Sequence, residues 1–168
     1  MRIILIGFMG VGKTTIGKII AKKLKLNFVD MDNYIEKREG KSISKIFEEY
    51  SEQHFRELES ESLKDLIKSD NIVISTGGGI VTTKENSEIL KKEKIVIFLD
   101  GNTQTILNHL SKEIDKRPLL SNSNNVEYTI SNLLNERYEK YNSICDIKID
   151  INEKNIEEVV SQILVNIG

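Results

Sequence analysis

Residues 7–14, GFMGVGKT, combine three glycines with a lysine and a threonine at the spacing GxxxxGK[ST]. Glycines let backbone N–H groups turn inward around a phosphate, a following helix adds its positive end, and the lysine reaches the terminal phosphates. A glycine turn that only closes a strand against a helix is the alternative. Because the loop lies between an apolar run and a helical pattern, nucleotide binding is favoured. We therefore predict that six residues bind the nucleotide: Gly10, Val11, Gly12, Lys13, Thr14 and Thr15.

Two carboxylates, Asp30 and Asp32, follow in the segment VDMD at the end of a second apolar run. Side chains alternate along an extended strand, so both would face the nucleotide. One carboxylate can hold Mg²⁺ directly or through water, beside the hydroxyl of Thr14, and the other can accept a proton from a substrate hydroxyl. Asp32 as the N-cap of a following helix is the alternative, and one residue can serve both purposes.

Three glycines, Gly77, Gly78 and Gly79, follow Thr76 after a third apolar run. Many phosphate-loop proteins carry an acidic residue at this point, and here there is none. Consecutive glycines expose backbone amides to a group that must approach closely, whereas the alternative is a flexible turn. The missing acid makes Asp30 the more necessary anchor for a metal ion.

Three arginines are candidates for binding anionic groups, although each taken alone is more often a surface residue. Arg56 and Glu59 are three residues apart on a predicted helix, so Glu59 can orient the guanidinium to fork a carboxylate. Arg117 lies in the stretch 112–125, polar at both ends, which we expect to be a lid closing over the phosphates. Arg137 follows on a later predicted helix.

Apolar runs alternate with helical patterns along the chain. The predicted strands are 2–6, 27–30, 72–75, 95–99 and 144–149, and the predicted helices are 14–24, 33–38, 42–68 with a break near 51, 85–92, 103–110, 126–141 and 156–165. Strands without clean alternation are buried on both faces. The pattern therefore predicts an α/β fold with a mainly parallel sheet, whose ligands gather at the carboxyl ends of the strands.

Length and composition limit the class of protein. The 168 residues suit one domain, and 24 Lys and Arg against 26 Asp and Glu favour neither a nucleic-acid nor a membrane partner. The apolar runs are too short to span a bilayer, and the chain enters its first strand without room for a signal peptide. Cys145 with two histidines offers no disulfide or zinc set. We expect a cytoplasmic protein.

These motifs together make the whole chain resemble the shikimate kinase family, which has the nucleoside-monophosphate-kinase-like P-loop fold. The resemblance rests on GFMGVGKTT at 7–15, DMD at 30–32, FRELE at 55–59, TGGG at 76–79, RPLL at 117–120 and RYEKYNSICD at 137–146. The first motif is common to many kinases, whereas DMD, FRELE and TGGG together are far more discriminating. In the last motif, Glu139, Lys140 and Cys145 depart from the family's usual residues.

The resemblance implies a five-stranded parallel sheet in the order 2-3-1-4-5 and a monomer that transfers the γ-phosphate of ATP to the 3-hydroxyl of shikimate. It places the acceptor in the region 32–62 and the lid at 112–125. The implied catalytic residues are Lys13, Asp32 and Arg117, with Mg²⁺ held by Thr14 and, through water, by Asp30. Asp32 would bind the shikimate hydroxyls and act as base.

The resemblance also implies how shikimate is bound. Arg56 and Arg137 would grip its carboxylate, while the amides of Gly77, Gly78 and Gly79 approach its hydroxyls. Phe47, Phe55 and Leu119 would pack around its ring. The adenine contacts stay open among Lys112, Lys116, Asn152 and Lys154.

Three other functions remain as alternatives. Another small-molecule kinase of the same fold, for gluconate or a nucleotide, leaves FRELE and TGGG unexplained. A P-loop switch is disfavoured because the guanine-selecting sequence NKxD is missing. A structural protein with a degenerate loop is disfavoured by the intact Lys13 and Thr14.

Overall fold

Five strands lie in the part of the chain that the computed structural model describes, residues 1–111 and 118–168. They are β1 (Arg2–Ile6), β2 (Asn27–Asp30), β3 (Ile72–Ser75), β4 (Val96–Asp100) and β5 (Ile147–Asp150). All neighbours pair in parallel, in the order β2-β3-β1-β4-β5. The α/β class and the strand order expected from the sequence are confirmed.

Helices connect the strands and cover both faces of the sheet. They are α1 (Lys13–Leu24), α2 (Met31–Glu39), α3 (Ile43–Glu49), α4 (Glu52–Leu66), α5 (Lys84–Leu90), α6 (Thr103–Leu110), α7 (Pro118–Ser121), α8 (Val126–Ile144) and α9 (Ile156–Ile167), with a 3₁₀ turn at Ile80–Thr82. Ser51 separates α3 from α4, where the sequence indicates a break. Its hydroxyl accepts a hydrogen bond from the His54 backbone N–H at 3.2 Å and caps the second helix.

Several boundaries lie one to three residues from those expected, and two differences need an explanation. Ile144 ends α8 instead of beginning a strand, because its side chain packs in the core beside Tyr141 and the helix stops only at Cys145. Its apolar character therefore serves a helix. The predicted lid begins outside the described residues, at 112–117, and continues into the short helix α7, where the sequence suggested a loop.

Burial on both faces explains the unbroken apolar runs in the strands. Along β1, Ile3 and Leu5 pack into one hydrophobic cluster, while Ile4 and Ile6 pack into a second cluster on the opposite face of the sheet. All four side chains are fully buried. β1 is therefore the central strand of a three-layer structure, and its carboxyl end is fixed from both sides.

The strands next to β1 end at the same level as β1. Leu5 pairs with Ser75, and Ser75 pairs with Asp30, so the carboxyl ends of β1, β2 and β3 share one edge of the sheet. The loops that carry the glycine motifs leave from this edge.

Among the helices of the described ranges, none is both long and apolar enough to cross a bilayer.

Candidate active site

The loop after β1 has the geometry of an anion-binding turn. Gly10 and Gly12 adopt left-handed conformations with φ of +81° and +89°, which a residue with a Cβ rarely adopts. Gly12 is the N-cap of α1, and neither a side-chain cap nor an acidic residue occupies the first turn. The helix therefore offers its N-terminal N–H groups and positive end to an anion.

Lys13 is folded back over this loop. Its ammonium group donates hydrogen bonds to the carbonyl oxygens of Gly7 at 2.7 Å and Phe8 at 2.8 Å, and the residue is only 8% exposed. The loop thus holds its own cation by backbone carbonyls. All six predicted nucleotide-binding residues line one large cleft of about 1370 Å³: Gly10, Val11, Gly12, Lys13, Thr14 and Thr15.

Thr14 and Asp30 place two oxygen donors together beside the phosphate loop. The Thr14 hydroxyl donates to Asp30 Oδ2 at 2.5 Å, and Ser75 Oγ lies 3.4 Å from Thr14 Oγ1. The other carboxylate oxygen of Asp30 accepts from the Asn33 backbone N–H at 3.2 Å. A hydroxyl and a carboxylate next to a phosphate site are a donor set that suits Mg²⁺, so the residues fit this ion.

The sequence-based account of the two carboxylates needs two corrections. Asp30, not Asp32, caps α2, because the strand ends one residue before the helix begins. Asp32 lies in the first turn of α2 and not in β2. The alternation of side chains along a strand therefore does not explain where Asp30 and Asp32 point. Both nevertheless line the large cleft, and Asp32 also lines a second, smaller pocket. Asp32 therefore lies where the two cavities meet.

The smaller pocket brings together residues that lie far apart in the sequence. It is lined by Asp32, Phe47, Phe55, Arg56, Glu59, Gly77, Gly78, Gly79, Leu119 and Arg137 among others. The side chains come from α2, α3, α4, the loop after β3, α7 and α8. Every predicted acceptor-binding residue is in this group. The lining of the pocket combines aromatic rings with buried charged side chains.

Arg56 is held by two acidic residues of its own helix. Its Nη1 donates to Glu59 Oε2 at 2.5 Å and its Nη2 donates to Glu52 Oε1 at 3.1 Å. Glu59 is fully buried, and its Oε1 accepts no hydrogen bond from the described residues. Burial raises the pKa of the Glu59 carboxyl to about 7, although the positive charge of Arg56 opposes this shift.

Arg137 is a buried cation with unused hydrogen-bonding capacity. It is 3% exposed, and its Nε and Nη1 find no hydrogen-bond partner in the ranges that the structure describes. Its guanidinium carbon lies 5.7 Å from the centre of the Phe8 ring. A buried charge whose donors are unsatisfied is costly to maintain, which indicates that an anionic ligand completes the site.

Lack of space requires a glycine at position 78, where a Cβ would meet backbone, whereas at positions 77 and 79 it would meet the ends of side chains. None of the three glycines has a positive φ, yet a Cβ on Gly78 would lie 2.9 Å from the Met9 backbone nitrogen. A Cβ on Gly77 would lie 2.5 Å from Glu59 Oε1, and one on Gly79 would overlap the Arg56 guanidinium. The loop therefore packs directly against the phosphate loop and against the charges of the pocket.

Other predicted residues are less informative. Arg117, Lys112 and Lys116 lie outside the described residues. Asn152 accepts hydrogen bonds from the Asn102 N–H and the Thr105 hydroxyl, so it braces two loops, whereas Lys154 lines the large cleft.

Sequence reasoning missed two contacts in this region. His109 Nδ1 lies 2.6 Å from the Gly10 carbonyl oxygen, and the Tyr141 hydroxyl donates to the Gly78 carbonyl oxygen. Both join residues more than 60 positions apart, and no local pattern signals them.

Comparisons with known proteins agree with one another. A family model described as shikimate kinase matches residues 9–168. A shikimate kinase of Clostridium botulinum (strain Eklund 17B / Type B) is 46% identical over 162 residues, which are 96% of this chain and 94% of that protein. A solved shikimate kinase from Acinetobacter baumannii in complex with shikimate is 34% identical, with a TM-score of 0.94 over 99% of this chain and 92% of that one.

A more distant structure shares only the fold. A gluconokinase from Sinorhizobium meliloti 1021 has a TM-score of 0.61 and 16% identity, over 98% of this chain and 89% of that one. At this identity the similarity concerns the fold alone.

Proposed function

The chain belongs to the shikimate kinase family and is an ATP-dependent kinase, and we propose that it transfers the γ-phosphate of ATP to the 3-hydroxyl of shikimate across the boundary between its two cavities. ATP occupies the large cleft and shikimate the smaller pocket. The observation that carries this assignment is Arg137, a buried cation whose Nε and Nη1 have no hydrogen-bond partner among the described residues, in a pocket that adjoins a phosphate loop.

The carboxylate of shikimate is the anion that the pocket lacks. Arg137 offers its Nε and Nη1, and Arg56, which is fixed by Glu59 and Glu52, adds a second guanidinium. An arginine fork matches a planar carboxylate, and such charge-assisted hydrogen bonds are strong in a buried site. The ring then lies against Phe47, Phe55 and Leu119.

The hydroxyls of shikimate face the other side of the pocket. Asp32 lies on the boundary with the phosphate cleft, so it can orient the reacting hydroxyl and accept its proton. The amides of Gly77, Gly78 and Gly79 approach the remaining hydroxyls, because all three residues line the pocket.

Phosphoryl transfer depends mainly on positioning and charge stabilisation. The N-terminal N–H groups of α1 and the Lys13 ammonium stabilise the phosphates, and we expect Arg117 to join them from the segment 112–125. Mg²⁺, when bound, neutralises charge on the β- and γ-phosphate oxygens. Thr14 would hold it by the hydroxyl and Asp30 through water. In the same proposal the protein acts as a cytoplasmic monomer without a nucleic-acid or membrane partner.

An acceptor panel tests this proposal. ADP release is measured by a coupled assay with ATP, Mg²⁺ and, in turn, shikimate, gluconate, other hydroxylated acids and nucleoside monophosphates. We expect fast turnover with shikimate alone, and the 3-phosphate as its product. Equal or faster turnover with gluconate or with a nucleotide would instead assign the pocket to another kinase of the same fold.

A further inference from the structure

Tyr141 contacts the glycine loop of the pocket from α8 and has no part in the proposed chemistry. It is fully buried in α8, four residues after Arg137, and its ring stacks on Phe98 of β4 with centroids 5.0 Å apart. Its hydroxyl donates a hydrogen bond to the carbonyl oxygen of Gly78. The hydroxyl of a fully buried side chain therefore forms a hydrogen bond with the backbone of the glycine loop.

This contact completes the pairing of the loop's carbonyl groups. The carbonyl oxygen of Gly77 accepts from the Ile80 N–H at 3.2 Å, and that of Gly79 accepts from the Thr82 N–H at 2.9 Å. Tyr141 satisfies the carbonyl between them. All three glycine carbonyls are thus bound within the protein.

The orientation of one carbonyl determines the orientation of the next amide. The peptide bond between Gly78 and Gly79 is planar and trans, so the Gly78 carbonyl and the Gly79 N–H point in opposite directions. A peptide between two glycines can rotate more freely than most, because neither residue has a Cβ. A hydrogen bond to its carbonyl removes that freedom and fixes the direction of the N–H.

The donor is stable over the working pH range. Burial raises the pKa of the Tyr141 hydroxyl to about 12, although the nearby positive charge of Arg137 opposes the shift. The phenol therefore keeps its proton, and the Gly78 carbonyl keeps its donor, wherever the enzyme is active.

We propose that Tyr141 is a positioning residue for phosphoryl transfer, whose hydroxyl fixes the Gly78 carbonyl and thereby directs the Gly79 N–H toward a hydroxyl of bound shikimate. This inference rests on the proposed function, because it takes shikimate as the ligand of the smaller pocket. It assigns a role in substrate orientation to a side chain that does not touch the substrate.

The substitution Tyr141→Phe removes the hydroxyl and keeps the ring. The matched control is Tyr138→Phe, one turn earlier in α8, whose ring also meets Phe98 but whose hydroxyl donates to Asp100 Oδ2 at 3.2 Å, away from the pocket. We expect Tyr141→Phe to raise KM for shikimate and lower kcat by about twofold each, so that kcat/KM falls about fivefold, the value of one hydrogen bond, with KM for ATP unchanged. Tyr138→Phe leaves all three unchanged.

The outcomes separate this inference from the proposed function. Wild-type protein that does not phosphorylate shikimate would refute the proposed function itself. Wild-type activity with indistinguishable shikimate kinetics in the two variants would refute only the role of Tyr141. A loss shared equally between ATP and shikimate would mean a general structural effect, and would also overturn it.

A second measurement does not depend on the stability of a variant. In wild-type protein labelled with ¹⁵N, the Gly79 amide resonance is followed during titration with shikimate. We expect it to move downfield as its N–H donates to the ligand. A Gly79 resonance that stays in place while other pocket resonances shift would contradict the proposal.

Discussion

The phosphate loop and the acceptor pocket adjoin, yet they treat buried charge in opposite ways. Lys13 donates to the carbonyls of Gly7 and Phe8, and Thr14 donates to Asp30, so the phosphate side is satisfied by its own chain. On the acceptor side, Arg137 and Glu59 are buried with polar atoms that have no partner among the described residues. The phosphate side is organised before ligand binds, whereas the acceptor side is completed by its ligand.

The origin of the two regions in the sequence explains this difference. The phosphate loop is one continuous segment, and the loop geometry itself supplies carbonyls for its lysine. The acceptor pocket is assembled from several helices and a loop, each contributing one or two side chains. Charges brought together in this way cost free energy of desolvation, which is recovered when a complementary ligand binds. Stability and binding therefore compete mainly in the acceptor pocket.

The largest effect is expected at Lys13, which lies in the phosphate loop and is already hydrogen-bonded by its own chain. Lys13→Met removes a charge that stabilises the transferred phosphoryl group, and we expect kcat to fall by about 10³-fold. The carbonyls of Gly7 and Phe8 also lose their donor, so the free energy of unfolding should fall by about 1–3 kcal/mol. Steady-state kinetics and thermal unfolding measure both changes.

The matched control for this change is Lys22→Met, an exposed lysine of the same helix, which should leave turnover intact. Near-normal turnover in Lys13→Met would remove this residue from the phosphate site.

The same contrast determines what the sequence could reveal. The phosphate loop is local, so its spacing alone predicts it. The alternation of strands and helices predicts a parallel α/β sheet, whereas the strand order came from the resemblance to the family. The alternative that the sequence offered for Asp32, the N-cap of α2, falls on Asp30 instead, because the residue at which a strand turns into a helix depends on tertiary packing. The burial of Glu59 and the contact of Tyr141 with Gly78 join distant segments, so no local pattern carried them.

A second prediction uses Arg137, on the side that the ligand completes. Arg137→Met removes the fork for the carboxylate, so KM for shikimate should rise about 30-fold or more, with KM for ATP unchanged. Because the substitution also removes a buried charge whose Nε and Nη1 have no partner in the described ranges, the free energy of unfolding should stay the same or rise by about 1–2 kcal/mol. Lys13→Met and Arg137→Met therefore differ in the sign of their effect on stability.

Arg38→Met is the control for an arginine outside the pocket, where the guanidinium donates to Glu61 at 2.6 Å on the surface. It should leave KM for shikimate unchanged. A clear loss of stability in Arg137→Met with an unchanged KM would reverse the contrast between the two regions.

A third effect, which leaves catalysis aside, is a pH dependence of stability that comes from Glu59. Its pKa is about 7 in the folded protein, against an ordinary value of 4.5, because the carboxyl is buried. Between these values the folded protein holds a proton that the unfolded chain has lost, so the free energy of unfolding falls as pH rises through this window. The total change over this window is about 3 kcal/mol. Glu59→Gln cannot titrate and should lose this slope, measured as the melting temperature from pH 4.5 to 8 without ligand.

Glu57→Gln, an exposed position two residues earlier in α4, should keep the slope of the wild type. Shikimate adds a test of the cause, because the folded protein with its pocket filled holds the guanidinium groups beside a second carboxylate. A slope that survives in Glu59→Gln would mean that the pH dependence arises elsewhere. The acceptor pocket would then carry its buried carboxyl as a permanent anion, and its contrast with the phosphate loop would rest on Arg137 alone.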